Sequence, residues 1–154
     1  MGDGDSSASA REIENLLAAY AELIDAGDFD GLGDLLSHAS FGGEGQAASC
    51  GRDAIASLFE AVVLVYEDGT PRTKHVTTNV HLEVDEASGT ARARSYVTVL
   101  QALPDLPLQP IVAGRYRDRF ERVDGRWRFV ERRFTTDLVG DLSKHLRGGA
   151  GLLR

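Results

Sequence analysis

The hydrophobic period of this chain changes once, near Arg72, and this change constrains the fold more than any other feature. Before it, apolar residues such as Ile13, Leu17 and Ile24 recur at helical spacing and form one stripe. After it, apolar and polar residues alternate, as in strands whose two faces meet different surroundings. Helices followed by a run of strands predict an α+β domain, with helices covering the concave face of a bent antiparallel sheet.

Three helices are predicted in the first part of the chain. The sequence Ser9-Ala10-Arg11-Glu12 fits a capping box, which places the start of the first helix at Ser9. Gly27 is a natural stop for that helix. A short second helix is predicted from Asp28 and a third from near Asp53.

Four strands are predicted after Arg72. Asp124-Gly125 is a strong hairpin signal, because both central positions of such a turn need positive φ. Pro104, Pro107 and Pro110 predict a loop between the second and third strands, since proline cannot donate to a sheet.

The domain boundaries follow from these elements. Residues 138–146 are predicted to form a short terminal helix. A single domain is therefore expected over residues 10–147, with a disordered segment at 1–9 and a flexible, glycine-rich tail at 148–154.

Composition narrows the classes of protein that this chain fits. A chain of 154 residues is one domain's length, and its one cysteine, Cys50, allows neither an internal disulfide nor a cysteine-rich metal site. A reducing compartment is therefore expected, and we predict a cytoplasmic protein. No apolar run approaches the ~20 residues of a membrane span, so no membrane partner is expected.

The charge distribution is uneven, acidic in the first half and basic in the second, with a net charge of −7. The arginines of the second half alternate with apolar residues, as on the solvated face of a sheet, so no nucleic-acid partner is expected. The histidines lack the spacing of metal ligands, so no metal site is expected, and no cofactor is expected either.

Two polar residues are candidates for chemistry. Asp25 lies in the last turn of the first helix, where the helix dipole disfavours a carboxylate, so a cationic partner or simple solvation must offset the cost. His75 opens a strand where helix gives way to sheet, and its side chain can point into a cavity or out to solvent. His38 and His145 are expected on the surface.

Asp118 is a third candidate because its strand parity places it on the apolar face with Tyr116 and Phe120. A buried carboxylate needs a partner or loses its charge. Arg132 or Arg133, on the next strand, can supply that partner, and a single bulge decides which. A structural ion pair and a catalytic role remain equally open.

Three parts of the chain together resemble a known family. The first helix with Leu23-Ile24-Asp25, the segment Thr73–Val84 (TKHVTTNVHLEV) and the segment Gly114–Phe129 (GRYRDRFERVDGRWRF) are similar to SnoaL-like proteins of the nuclear-transport-factor-2-like (NTF2-like) superfamily. The resemblance covers roughly Glu12 to Leu142. It implies a cone-shaped α+β fold with a deep pocket, usually dimeric through the outer sheet face.

Within that superfamily the chain most resembles the lindane dehydrochlorinase and scytalone dehydratase group. Asp25 and His75 match the positions of the aspartate and histidine that this group uses. Asp118 and Arg132 resemble its buried acid and arginine, and Phe41 falls near a pocket aromatic. The tyrosines with which scytalone dehydratase positions its substrate have no counterpart identifiable in this sequence.

An Asp–His pair has a clear physical logic. The carboxylate accepts a hydrogen bond from one imidazole nitrogen and fixes its tautomer, so the other nitrogen can take a proton from substrate. We therefore expect a cofactor-independent lyase or isomerase for a small apolar, cyclic molecule. The alternative is a non-catalytic ligand-binding or assembly subunit. The two are separated by whether Asp25 and His75 meet beside a cavity.

Overall fold

The computed structural model describes residues 3–149, with side chains from residue 6 onward, so the last five residues of the predicted tail lie outside the described residues. Three helices and six strands follow one another along the chain: α1 (Asp3–Asp25), α2 (Phe29–Leu35), β1 (Ser40–Gly43), β2 (Ser49–Cys50), α3 (Arg52–Val62), β3 (Thr73–Asp85), β4 (Thr90–Leu103), β5 (Leu106–Val123) and β6 (Arg126–Val139). None of the helices described here combines the length and apolar character needed to cross a membrane.

Helix α1 begins earlier than the sequence predicted and ends where it predicted. It starts at Asp3, so residues 3–9, which were predicted to be disordered, form its first turns, and residues 1–2 of that segment lie outside the described residues. Ser9 is buried inside the helix, and Glu12 accepts a hydrogen bond from the backbone N–H of Trp127 in β6 instead of capping the helix. At the other end Gly27 takes a φ of 72°, while its N–H donates to the Ile24 carbonyl in a Schellman-type stop.

The six strands form one bent, open sheet in the order β2-β1-β6-β5-β4-β3. Strands β3 to β6 are the predicted antiparallel meander, and the Asp124-Gly125 turn joins β5 to β6. The short strand β1 pairs with β6 in parallel, so the sheet is mixed rather than wholly antiparallel. Because β1 precedes α3 and β6 ends the meander, only the tertiary fold brings them side by side.

A bulge in β3 reverses the side-chain alternation that the sequence predicted. The register shifts between Thr78 and His81, where Asn79 takes a positive φ of 52°. Before the bulge His75 faces inward while Val76 is 39% exposed; beyond it Leu82 turns inward. The predicted apolar face is therefore split between the two sides of the sheet, because one extra residue inverts every later side chain.

A second bulge decides which arginine of β6 is buried. The register between β5 and β6 shifts between Arg119 and Phe120, which leaves Val130 as the extra residue. Arg132 consequently lies opposite Asp118 and is 0% exposed. Its neighbour Arg133 instead donates to the backbone carbonyl of Gln46 at 3.0 Å.

Of the three prolines predicted to mark a loop, Pro104 lies in the turn between β4 and β5 and the other two lie in β5, and the predicted terminal helix does not form. Pro107 and Pro110 lie in β5 before Val112, which is the first residue of β5 that pairs with β6. The edge of β5 that faces β6 is therefore free at both prolines and tolerates the missing N–H groups. At the C-terminus β6 continues to Val139, and residues 143–148 form turns on either side of Leu146, which makes an isolated antiparallel bridge with Val63.

The core lies between the helices and the concave face of the sheet. Buried apolar side chains from all three helices and from β5 and β6 fill it, among them Ile13, Leu17, Leu32, Ile55, Phe59, Ile111, Phe120 and Phe129. Each helix buries its apolar stripe against this core, as the helical spacing predicted.

Candidate active site

Asp25 and His75 meet where the end of α1 crosses the start of β3. The Nδ1 atom of His75 lies 2.7 Å from Oδ1 of Asp25, and the backbone N–H of His75 donates to Oδ2 at 2.8 Å. Thr73, which the sequence analysis did not single out, donates its hydroxyl to Oδ1 at 2.8 Å. The side chains of His75 and Asp25 are only 6% and 9% exposed. The carboxylate is therefore held by three donors, two of them from one residue.

These contacts settle the ionisation of Asp25. Burial acts to raise the pKa of the Asp25 carboxyl, but hydrogen bonds and charge from His75, with the Thr73 hydroxyl, outweigh it and leave the pKa below its usual value. An ionised carboxylate only accepts hydrogen bonds, so Nδ1 of His75 carries a proton, and in the neutral imidazole Nε2 is then the acceptor. The donors also offset the cost of a carboxylate at a helix C-terminus.

The His75 ring borders a cavity of about 290 Å³ between the helices and the sheet. Asp25 is not among the lining residues and lies behind the ring. Most of the wall is apolar, with contributions from α1, α3, β1, β4, β5, β6 and the segment after β6: Ile24, Phe41, Leu58, Phe59, Val62, Val97, Val99, Val112, Phe134 and Leu142. This size lies at the lower end of the range for small-molecule sites.

A comparison with models of protein families shows to which family this chain belongs. A model of the SnoaL-like domain matches residues 5–133, most of the chain. The chain belongs to this family. The arrangement of three helices against a six-stranded bent sheet is the NTF2-like fold, so the predicted fold class is confirmed.

Three solved structures are similar to this SnoaL-like protein over most of their length. A protein of unknown function from Mycobacterium tuberculosis is 27% identical, with a TM-score of 0.72 over 90% of this chain and 78% of the other. LinA is 25% identical, with a TM-score of 0.72 over 91% and 93%. A type 3 LinA, the hexachlorocyclohexane dehydrochlorinase of Novosphingobium barchaimii, is 24% identical, with a TM-score of 0.70 over 90% and 92%. A comparison of sequences with curated proteins found no match.

Phe41 lies in the wall of the cavity of this SnoaL-like protein. It is 5% exposed, and its ring centroid lies 5.1 Å from that of Phe59 and 5.7 Å from that of Phe134. Strand β1 carries Phe41 beside β6, so the parallel pairing is what brings the ring to the cavity. The resulting aromatic wall suits a flat or cyclic apolar ligand.

Asp118 and Arg132 form a fully buried ion pair that does not line the cavity. Arg132 donates to both carboxylate oxygens of Asp118, at 2.8 and 3.0 Å, and both side chains are 0% exposed. Burial acts to lower the pKa of the guanidinium, but the Asp118 carboxylate outweighs it, so the pKa is raised and Arg132 stays charged. This pair therefore supports the site from behind and does not contact the space where a ligand fits.

Tyr20 and Tyr116 separate that ion pair from the cavity. The guanidinium carbon of Arg132 lies 4.2 Å from the Tyr20 ring centroid and 3.7 Å from that of Tyr116, within cation–π range. Both rings line the cavity, and burial raises the pKa of each phenol, so both keep their protons. Neither tyrosine was predicted to line the cavity, because α1 and β5 bring them together only in the folded chain.

His145 is a cavity residue that the sequence analysis placed on the surface. It is 4% exposed, and its ring centroid lies 6.0 Å from that of His75 in an edge-on arrangement. Burial, assisted by nearby His75 and opposed by Asp25, lowers the pKa of His145 to about 4. The surface prediction was wrong because the C-terminal segment folds back over the cavity, a path that no local pattern indicates. His38 is exposed, as expected.

Within residues 3–149, no three His, Cys, Asp or Glu side chains converge in a way that could hold a metal ion. His81 lies on the outer face of the sheet, where Nε2 is 3.5 Å from a carboxylate oxygen of Glu83.

Proposed function

We propose that this SnoaL-like protein is a cofactor-independent lyase or isomerase that acts on a small, apolar, cyclic molecule. The single observation that carries the proposal is the Asp25–His75 contact of 2.7 Å at the wall of a mostly apolar cavity. The similarity to LinA, and in fold to a hexachlorocyclohexane dehydrochlorinase, supports elimination from a ring as one member of this class of reactions.

His75 acts as the general base in this proposal. Its Nδ1–H is committed to Asp25, so Nε2 is the ring atom left to take a proton from a ligand in the cavity. The backbone N–H of His75 donates to the same carboxylate, so main chain and side chain are held together and the ring has little freedom to turn.

Asp25 orients the base and stabilises the imidazolium that forms when the base takes its proton. A carboxylate at 2.7 Å behind the ring compensates the new positive charge in an apolar surrounding, where an unpaired charge is costly. When His75 takes a proton from a ring carbon, the electron pair of that C–H bond forms a double bond and expels a neighbouring chloride in an elimination. In a dehydration the imidazolium returns its proton to the departing hydroxyl as water leaves, and in an isomerisation it returns the proton to another carbon.

The test is turnover of a substrate panel by the parent and three variants. The panel contains chlorinated cyclohexanes, cyclic β-hydroxy ketones and cyclic enones, followed by product formation and by proton–deuterium exchange in D₂O. His75→Ala should lower turnover by ~10²–10⁴-fold, as expected for loss of a general base. Asp25→Asn keeps the shape of the carboxyl group but removes its charge and should also lower turnover strongly. His81→Ala, on the outer face of the same strand, is the matched control and should leave turnover unchanged.

Each outcome decides between the proposal and its alternative. If the His75→Ala variant is folded and its turnover equals that of the parent, His75 is not the general base. Binding of panel molecules with neither turnover nor deuterium exchange by the parent favours a non-catalytic ligand-binding subunit. Melting temperatures of all variants are measured alongside, so that unfolding of a variant is not read as loss of chemistry.

A further inference from the structure

The segment that carries His145 is fastened to the body of the protein on both sides of the histidine. The backbone N–H of Leu64 donates to the His145 carbonyl at 2.8 Å, and the N–H of Arg147 donates to the Val62 carbonyl at 2.8 Å. Before the histidine, Gln101 donates its side-chain amide to the Lys144 carbonyl at 3.0 Å. His145 therefore occupies a built position at the cavity wall and does not belong to a loose tail.

The His145 ring has unused hydrogen-bonding capacity in an otherwise apolar part of the cavity. Its Nδ1 atom is buried and has no hydrogen-bond partner within the described chain. Leu142 and Leu146, on the same segment, are apolar lining residues. A buried polar atom without a partner costs free energy, and a ligand group that satisfies it recovers that free energy.

We propose that His145 is a ligand-binding residue that selects molecules carrying a hydroxyl or carbonyl oxygen close to the atom that His75 deprotonates. The inference deepens the proposed function by naming a substrate class. The 6.0 Å between the two ring centroids leaves the imidazoles close enough to contact neighbouring positions of one ring-sized molecule. The uncharged imidazole of His145 offers one donor and one acceptor, which matches a hydroxyl group and, through the donor, a carbonyl oxygen.

The expected selectivity comes from the difference between ligands that can hydrogen-bond to His145 and ligands that cannot. A ligand with an oxygen satisfies the imidazole, whereas a pure hydrocarbon leaves it unpaired inside the cavity. Sites built to hydrogen-bond one group of a ligand reject the analogue that lacks the group far better than apolar sites discriminate by size. His75 offers a ligand only Nε2, because Asp25 occupies its Nδ1, so in its neutral form it has no donor for a carbonyl oxygen.

Equilibrium binding of 2-naphthol and naphthalene, which differ by one hydroxyl, tests this inference without any need for turnover. Both probes are fluorescent, so titration of the full chain gives two dissociation constants. His145→Phe should weaken 2-naphthol binding by about tenfold, the loss of one buried hydrogen bond, and should leave naphthalene binding unchanged or tighter. His81→Phe makes the same substitution on the outer sheet face and should change neither constant.

A second measurement keeps the test decisive if His145→Phe does not fold. In the parent labelled with ¹⁵N-histidine, 2-naphthol should shift an imidazole nitrogen of His145, and naphthalene should not. Equal weakening of both probes by His145→Phe, no effect on either, or no binding of 2-naphthol to the parent would overturn the inference. If the protein prefers 2-naphthol through His145 but turns over none of the substrate panel, the proposed function fails, and the contact between His145 and a ligand oxygen still stands.

Discussion

Replacing Asp118 with asparagine tests how strongly the buried ion pair behind the cavity holds the fold together. The substitution preserves size but removes the charge that faces Arg132, and both side chains are 0% exposed. The guanidinium stays charged and loses its counter-charge in a site that water does not reach. Splitting a pair buried to this extent costs ~3–5 kcal/mol, a large share of the ~5–15 kcal/mol that stabilises an ordinary domain.

Urea unfolding followed by the fluorescence of Trp127 measures this cost. The chain has one tryptophan, and it is 5% exposed in the core, so its emission reports the whole domain. With a typical dependence of ~2 kcal/mol per molar urea, a loss of ~4 kcal/mol lowers the unfolding midpoint by ~2 M. The double variant Asp118→Leu with Arg132→Met removes both charges and should recover much of the loss.

The matched control is an exposed ion pair between the same two strands. Arg115 donates to both carboxylate oxygens of Asp137, each at 2.8 Å, but the two side chains are 53% and 39% exposed. Asp137→Asn should therefore shift the midpoint little, because solvent screens exposed pairs. Equal shifts for Asp118→Asn and Asp137→Asn would show that geometry and not burial sets the cost, and would refute the reasoning.

Three further predictions concern acid stability, the end of α1 and assembly. The pKa of His145 is about 4 in the fold and ~6.5 when unfolded, so stability falls as pH drops through that window. Between pH 7 and pH 5 urea unfolding should show a loss of up to ~2 kcal/mol that His145→Phe removes. Gly27→Ala should cost more than ~1 kcal/mol in the same assay, since φ is 72° and the new Cβ would lie 2.2 Å from the Gly69 carbonyl oxygen. We expect a homodimer through the outer sheet face, where Tyr96 is 52% exposed; light scattering at micromolar concentration should show it, and a monomeric parent contradicts it.

The sequence by itself determined the layers of this protein. The change of period near Arg72 separates helices from the meander, and Gly27 and Asp124-Gly125 mark a helix stop and a hairpin turn that the structure contains. These features are predictable because each depends on residues close together in the chain. The parity that buries Asp118 was also readable from its own strand.

Only the tertiary structure decided which side chains meet at the site. Because of the bulge at Asn79, His75 and His81 lie on opposite sides of the sheet. Because of the bulge at Val130, Arg132 is buried and Arg133 is not. His145 reaches the cavity because hydrogen bonds join its segment to the chain after α3, some 80 residues earlier. A bulge depends on how two strands pair, and such a return depends on packing across the whole domain, so neither leaves a signal in local spacing.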